Sequence, residues 1–140
     1  MILINQSLFN TKDNTIAHCV SSDFKLGAGI AKIIKNKYPI LPEGPPNLPK
    51  GIIGNAHGIQ NDDMLVFHLV TKPKYYDKPT YDTLTKSLIS LKNQLLERNI
   101  KSISMPKIGC GLDKLEWSKV SEIIENVFSD TNIIVSVYYL

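Results

Sequence analysis

Two charged residues of the sequence, Lys72 and Asp113, stand at the ends of apolar segments and carry groups that can do chemistry. Lys72 closes the run MLVFHLVTK. It is either the point where a buried strand meets solvent or a desolvated amine able to attack a sugar carbon. Asp113 ends the segment KIGCGLD. Its carboxylate either stabilises the start of a helix or gives and takes protons in a reaction. The local sequence leaves both alternatives open for each residue.

Two glycine-rich segments, GAG at residues 27–29 and GCG at residues 109–111, each precede a predicted helix. Glycine lets backbone N–H groups approach a phosphate closely, and the start of a helix adds the positive end of its dipole. A G-x-G segment before a helix is also a common tight turn. Neither segment continues as a Walker A loop or as a dinucleotide-binding fingerprint. Two such loops at strand ends favour the hypothesis that they close on a pyrophosphate from two sides.

The histidines and cysteines suggest structural roles rather than a metal site. His18 and His68 lie in apolar strand patterns and are predicted to be hydrogen-bonded core residues, whereas His57 lies near a turn and is predicted to be solvated. No spacing matches a zinc motif, so no metal is expected. Cys19 and Cys110 are predicted to be free thiols. Cys110 is expected to offer a ligand its backbone N–H, because nothing nearby in the sequence would activate its thiol.

Length and composition predict one globular domain. The chain has 140 residues, of which 43% are hydrophobic, and this is enough to bury a single core. No stretch approaches the ~18 apolar residues of a membrane span, and the first residues lack the charged start of a signal peptide, so the expected compartment is the cytoplasm. The net charge of +3 mildly favours an anionic ligand. A core of this size suggests a monomer.

Strand-like and helix-like segments alternate along the chain, with one hairpin near the middle. Predicted strands cover residues 2–4 and 15–20, both expected to be buried, and residues 51–57, 64–71, 103–105 and 133–139. Predicted helices cover residues 27–37, 81–98 and 117–128. Residues 39–50 are rich in proline and predict a loop. In the first helix Ile30, Ile33 and Ile34 are expected to face the core. This order predicts a mixed sheet with helices on both faces, an α/β/α sandwich whose ligands bind at the carboxyl ends of strands.

Three motifs in order, GAGIA, then TK followed by KPTY, then SMPKIGCGLD, resemble the macrodomain family. The resemblance is closest to the terminal ADP-ribose protein glycohydrolases and extends over the chain outside residues 39–63. It implies that residues 1–140 form one macrodomain with a cleft for ADP-ribose. It also implies an enzyme that hydrolyses the C1″ bond between ADP-ribose and a protein carboxylate or a nucleic-acid base, with no metal and no diffusible cofactor.

By the same resemblance, Lys72 attacks the anomeric carbon of the distal ribose and Asp113 acts as acid and base. The resemblance also implies a set of ligand-binding positions spread over four parts of the chain. These positions are Leu8, Ser21, Gly27, Ala28, Gly29, Lys107, Ile108, Gly109, Cys110, Gly111, Leu112 and Leu140. The same cleft would also suit an ADP-ribose reader without activity, or a phosphatase for ADP-ribose 1″-phosphate.

The sequence departs from the family pattern at the adenine end. Macrodomains commonly carry a Gly-Asp pair near the amino terminus, and Gln6 and Ser7 stand in its place here. Ser7 can hydrogen-bond adenine without the charge, and Asp23 is an alternative partner for the base. Tyr75 and Tyr76 could stack on a base or could equally be ordinary surface residues.

Overall fold

The computed structural model describes residues 1–42 and 51–140, and within them the chain folds into one six-stranded sheet with three α-helices. The strands are β1 (Ile2–Ile4), β2 (Thr15–Ser21), β3 (Ala56–Asn61), β4 (Met64–Lys72), β5 (Ser102–Pro106) and β6 (Ile134–Tyr138). The helices are α1 (Gly29–Lys37), α2 (Tyr81–Glu97) and α3 (Trp117–Phe128), and Leu8–Asn10 forms a 3-10 turn. No helix in the described ranges is long and apolar enough to cross a membrane.

The strand order is β1-β6-β5-β2-β4-β3, and only the β3–β4 hairpin pairs antiparallel. The mixed α/β sandwich predicted from the sequence is therefore confirmed. Strands β5, β2 and β4 are neighbours and run parallel, so their carboxyl ends meet at one edge of the sheet. Three loops leave this edge, namely residues 22–28 before α1, residues 73–80 before α2 and residues 107–116 before α3. This topology brings both glycine segments and Lys72 to the same place.

Helices cover both faces of the sheet. Helix α2 buries four leucines at helical spacing, Leu84, Leu88, Leu91 and Leu95, and packs with α3 over the larger core. Helix α1 covers the other face through Ile34, which has no exposed surface. The start of α2 is fixed by a reciprocal cap, in which Thr80 and Thr83 each accept the other's backbone N–H.

Two expectations about buried faces are wrong. Strand β1 was expected to be buried, but Ile2 and Leu3 are each 50% exposed because β1 forms the edge of the sheet with a neighbour on one side only. Ile33 was expected to face the core, yet it is 52% exposed. Helix α1 begins at Gly29 rather than Gly27, and only the stripe centred on Ile34 reaches the sheet.

The third predicted strand begins later than expected. The prediction started it at residue 51, but β3 begins at Ala56 because residues before it form turns, with Asn55 N–H bonded to the Ile52 carbonyl at 3.0 Å. A hairpin at this point of the chain is confirmed, but residues 58–61, predicted to belong to its turn, are part of β3, and the turn is only Asp62 and Asp63. Of the proline-rich loop predicted at 39–50, residues 43–50 lie outside the described residues, and residues 39–42 belong to no helix or strand.

The predicted core role of two histidines is confirmed. His18 and His68 are opposite each other in the β2–β4 register, have no exposed surface, and share a hydrogen bond of 2.8 Å between Nε2 and Nδ1. Burial lowers the pKa of both imidazoles, that of His68 to about 4. His57 is half-buried rather than solvated, and its Nε2 accepts the Ile52 N–H at 3.2 Å. Both cysteines are free, as predicted.

Candidate functional site

A cavity of about 780 Å³ opens where the carboxyl ends of β2, β4 and β5 meet. Its volume is within the usual range of small-molecule sites. Most of the residues predicted from the sequence line it. These are Ser21, Gly27, Ala28, Gly29, Lys72, Lys107, Ile108, Gly109, Gly111, Leu112 and Asp113. The cavity is therefore built from the loops that the two glycine segments belong to and from the end of β4.

Lys72 and Asp113 are in direct contact inside this cavity. The Lys72 Nζ lies 2.6 Å from the Asp113 Oδ1, and the two side chains are only 13% and 14% exposed. They are separated by 41 residues in the sequence, and the adjacency of β5, β2 and β4 brings them together. Because little of either side chain is exposed, this ion pair is screened less by water and salt than a pair on the surface.

The backbone around Lys72 is held from two sides. The Lys72 carbonyl accepts the Ser22 N–H at 2.8 Å, which ties β4 to the loop before α1. The Thr71 carbonyl accepts the Thr83 hydroxyl at 2.7 Å, which ties the same strand end to the start of α2. The Ser22 hydroxyl in turn donates to the Gly51 carbonyl at 2.5 Å. The amine of Lys72 is thus presented from a rigid strand end rather than from a free loop.

The two glycines of the GCG segment have different physical roles. Gly109 has φ +72°, a left-handed conformation, and a Cβ there would lie 2.8 Å from Leu115 Cδ1. Its carbonyl accepts the Leu115 N–H at 2.7 Å and closes the turn. At Gly111, an added Cβ would meet no atom of the described chain within 4 Å, and φ is not positive. Gly109 therefore forms the turn, whereas Gly111 leaves backbone open beside the cavity.

The loop before α1 is shaped by two residues in an unusual conformation. Phe24 and Leu26 have φ of 51° and 46°, and both side chains are buried. Between and after them, Lys25 and Gly27 line the cavity. Side chains rarely adopt positive φ, and such residues cluster at functional sites where packing holds them in place. Phe24 and Leu26 pack in a small core cluster, and the five residues from Lys25 to Gly29 line the cavity.

The two glycine segments approach each other across the cavity. A Cβ built on Gly29, whose φ is +57°, would lie 3.4 Å from Leu112 Cδ1. The Leu112 carbonyl also accepts the Lys78 ammonium at 3.0 Å. The loop before α3 is therefore linked both to the start of α1 and to the loop before α2.

Asp23 is a residue whose role the sequence did not reveal. Its carboxylate accepts the Ser21 hydroxyl, the Lys25 N–H at 3.2 Å and the Tyr75 N–H at 3.2 Å. It joins the loop before α1 to the loop before α2. Because Ser21 donates its proton to Asp23, the Ser21 oxygen offers the cavity lone pairs and can accept a ligand hydroxyl. No local sequence pattern predicts the contact between Asp23 and Tyr75, because the two residues are 52 positions apart.

Three predicted ligand-binding residues do not line the cavity. Leu8 is buried in the smaller core cluster, and Leu140 is 96% exposed at the carboxyl terminus. The Cys110 N–H, expected to be offered to a ligand, is bonded to the Lys107 carbonyl at 3.3 Å. Ser7 caps the turn that contains Leu8 by accepting the Phe9 N–H at 3.3 Å, so its side chain has a structural partner.

The ammonium of Lys107 lies over aromatic rings. It is 4.4 Å from the centroid of the Tyr139 ring and 5.3 Å from that of Trp117. Cation–π contacts of this kind hold a charge by attraction to the ring faces. Lys107 therefore links the loop before α3 to the carboxyl-terminal end of the chain.

The thiols are not activated. Cys19 lines the cavity, and burial together with the nearby Asp113 carboxylate raises the pKa of its thiol well above the usual value. Burial also raises the pKa of the Cys110 thiol. A thiol that stays protonated at neutral pH is a weak nucleophile. Neither thiol is therefore a good candidate nucleophile in this cavity.

Comparison with known proteins identifies the family to which this chain belongs. Residues 46–124 match the model of the Macro domain family. The chain is also 40% identical over 129 residues to the ADP-ribose glycohydrolase OARD1 of Homo sapiens, and the match covers 92% of this chain and 84% of the human protein. The chain belongs to the Macro domain family. The protein of the same name from Bos taurus is 40% identical over 127 residues, covering 91% of this chain and 82% of that protein.

Solved structures support the same fold. The macrodomain of Mycobacterium tuberculosis DarG has a TM-score of 0.82 at 19% identity, over 99% of this chain and 97% of that chain. The macrodomain of Thermus aquaticus DarG has a TM-score of 0.82 at 16% identity, with the same two coverages. At such identities the likeness concerns the fold alone.

Proposed function

We propose that this protein is an ADP-ribosyl glycohydrolase that releases terminal ADP-ribose from modified macromolecules. The observation that carries the proposal is the 2.6 Å contact between Lys72 and Asp113 inside the cavity. The identity of 40% to proteins named ADP-ribose glycohydrolase supports the reaction class. The acceptor is a protein glutamate or aspartate ester or a nucleic-acid base.

The cavity suggests how the ligand would lie. The diphosphate would lie between the two glycine segments, where open backbone at Gly27 and Gly111 and the start of α1 favour negative charge. The distal ribose would then lie at Lys72 and Asp113. The Ser21 oxygen can accept a ribose hydroxyl.

The chemistry follows from the paired amine and carboxylate. Asp113 takes a proton from Lys72, which frees the electron pair of the amine. The amine forms a bond to C1″ as the bond from C1″ to the acceptor breaks, and the acceptor leaves with a proton from Asp113. The sugar ring opens to give a Schiff base on Lys72. Water then adds to C1″, the carbon–nitrogen bond breaks, and free ADP-ribose and the amine are regenerated.

The test is release of ADP-ribose from a glutamate-modified protein and from an ADP-ribosylated DNA oligonucleotide. We expect wild type to turn over at least one substrate, and Lys72→Ala and Asp113→Ala to lose turnover. Lys86→Ala is the matched control, because Lys86 also pairs with an aspartate, Asp82 at 3.0 Å, but on the exposed face of α2.

A trapping experiment tests the covalent step directly. Borohydride added during turnover would reduce a Schiff base to a stable secondary amine, and mass spectrometry should place the adduct on Lys72. Turnover retained by Lys72→Ala would refute the lysine mechanism. Binding of ADP-ribose without turnover of either substrate would favour a reader, and release of phosphate from ADP-ribose 1″-phosphate would favour a phosphatase.

A further inference from the structure

Residues 74–77 form a tight turn, here called the tyrosine turn, directly after the end of β4. The Asp77 N–H donates to the Lys74 carbonyl at 2.9 Å, so Tyr75 and Tyr76 occupy the two central positions. The Asp77 carboxylate accepts the Lys74 N–H at 3.0 Å, and the Asp23 carboxylate accepts the Tyr75 N–H at 3.2 Å. The backbone of the turn is thus fixed at three points before any ligand binds.

The two rings at the centre of this turn are held in the open. Tyr75 and Tyr76 are 60% and 62% exposed, and both line the cavity. Their centroids are 5.2 Å apart with the ring planes at 85°, an edge-to-face pair. The Lys74 ammonium lies 5.8 Å from the Tyr76 centroid, and the exposed fractions show that both rings still keep apolar surface free. A single exposed aromatic residue is ordinary, but a pre-ordered pair at the mouth of a cavity is a ready stacking surface.

The position of the turn assigns it to the acceptor side of the reaction. The two glycine segments follow β2 and β5, whereas the tyrosine turn follows β4, the next strand outward in the sheet order. Lys72 lies at the end of β4, between these regions. If ADP-ribose occupies the glycine side, the group attached to its C1″ leaves past Lys72 toward the tyrosine turn.

The charges around the turn match a polyanion. Lys25, Lys74 and Lys78 are all exposed, and Lys25 and Lys78 line the cavity. These three lysines outnumber the two nearby carboxylates, Asp23 and Asp77, and the Lys78 ammonium also donates to the Leu112 carbonyl at 3.0 Å. Aromatic rings combined with lysines are the usual means of holding a single strand, because rings stack on bases and lysines attract phosphates.

We infer that the tyrosine turn is an acceptor-binding surface, on which Tyr75 and Tyr76 stack with bases of an ADP-ribosylated single-stranded nucleic acid. This inference rests on the proposed function and names its acceptor. An acidic peptide would use the lysines but would not need two pre-ordered aromatic rings.

The test compares the double variants Tyr75→Ala/Tyr76→Ala and Tyr75→Phe/Tyr76→Phe with wild type on two substrates, an ADP-ribosylated single-stranded DNA oligonucleotide and a glutamate-modified peptide. The phenylalanine pair keeps the rings and is the matched control. We expect the alanine pair to raise KM for the oligonucleotide about tenfold or more, with the peptide and the phenylalanine pair unaffected. Leu96→Ala removes a similarly exposed apolar side chain from α2 and should change nothing.

Equal losses on both substrates, no loss on the oligonucleotide, or turnover of the peptide alone would each overturn the inference. A second measurement separates it from the proposed function. Fluorescence anisotropy with an unmodified, labelled single-stranded DNA oligonucleotide needs no catalysis. We expect wild type to bind and the alanine pair to bind about tenfold more weakly. Binding that is equal in both, or absent in wild type, overturns the inference even if neither substrate is hydrolysed.

Discussion

Replacing either glycine of the GCG segment with alanine should separate turn formation from ligand approach. At Gly109 an alanine must adopt φ +72°, which costs roughly 1–2 kcal/mol for a residue with a Cβ. Its Cβ would also lie 2.8 Å from the end of the Leu115 side chain, which must move. Because Leu115 is half-buried and flexible, we add only about 1 kcal/mol for that displacement. Gly109→Ala should therefore lower the free energy of unfolding by about 2–3 kcal/mol.

Gly111→Ala should behave in the opposite way. Its φ is not positive, and the added methyl group would meet no atom of the described chain within 4 Å. The loss of backbone freedom in the unfolded chain should make this variant slightly more stable, by about 0.4–1 kcal/mol. The methyl group would nevertheless stand where a phosphate is expected, so binding of ADP-ribose should weaken.

Urea denaturation of both variants and of wild type, with the midpoint and slope fitted together, measures the stability difference. Isothermal titration with ADP-ribose measures the binding difference. The reasoning would be refuted if Gly109→Ala were no less stable than Gly111→Ala. It would also be refuted if Gly111→Ala bound ADP-ribose as tightly as wild type.

Further predictions concern the Lys72–Asp113 ion pair, His68, the carboxylate of Asp23 and the thiol of Cys19. The double variant Lys72→Met/Asp113→Leu should lose turnover, yet its free energy of unfolding in a urea titration should change by less than about 2 kcal/mol, because both charges are removed together. Asp113→Leu alone leaves the amine of Lys72 unpaired and should be less stable than the double variant in the same titration. Burial lowers the pKa of His68 from 6.5 to about 4, so between pH 4 and pH 6.5 the unfolded chain binds a proton at this residue and the folded chain does not. Stability should thus be full above pH 6.5 and fall by about 3 kcal/mol as the pH drops to 4, a loss that His68→Gln should reduce in urea titrations across this range. Asp23→Ala should raise KM for ADP-ribosylated substrates severalfold with a smaller change in kcat, because the loops before α1 and α2 lose the hydrogen bonds that join them. Asp23→Asn should restore part of the lost KM. A KM of Asp23→Ala equal to that of wild type would contradict this. Cys19 should react with iodoacetamide at pH 8 much more slowly than glutathione does, because burial raises the pKa of its thiol, and a rate equal to that of glutathione would contradict this burial.

The sequence by itself indicated the order of the helices and strands, the family and the two glycine segments. The leucine spacing of α2 and the threonine cap at its start are local signals, since helix periodicity and capping involve residues within a few positions of one another. The hairpin was predicted for the same reason, although the predicted turn, residues 58–63, is longer than the two-residue turn at Asp62 and Asp63. The ends of the elements were predicted less accurately: β3 begins five residues later than predicted, because the residues before it form backbone turns.

Only the tertiary structure decided which residues share the cavity. The contact between Lys72 and Asp113 depends on β5, β2 and β4 being neighbours, a fact that no local pattern contains. The same packing places Leu8 in the core, although the motif resemblance assigned it to the ligand. The tertiary structure also shows the hydrogen bond from the Tyr75 N–H to the Asp23 carboxylate, which joins the loop after β4 to the loop after β2. Local residue types set the turns and helices, but contacts between distant segments depend on strand order and side-chain packing, which emerge only when the whole chain folds.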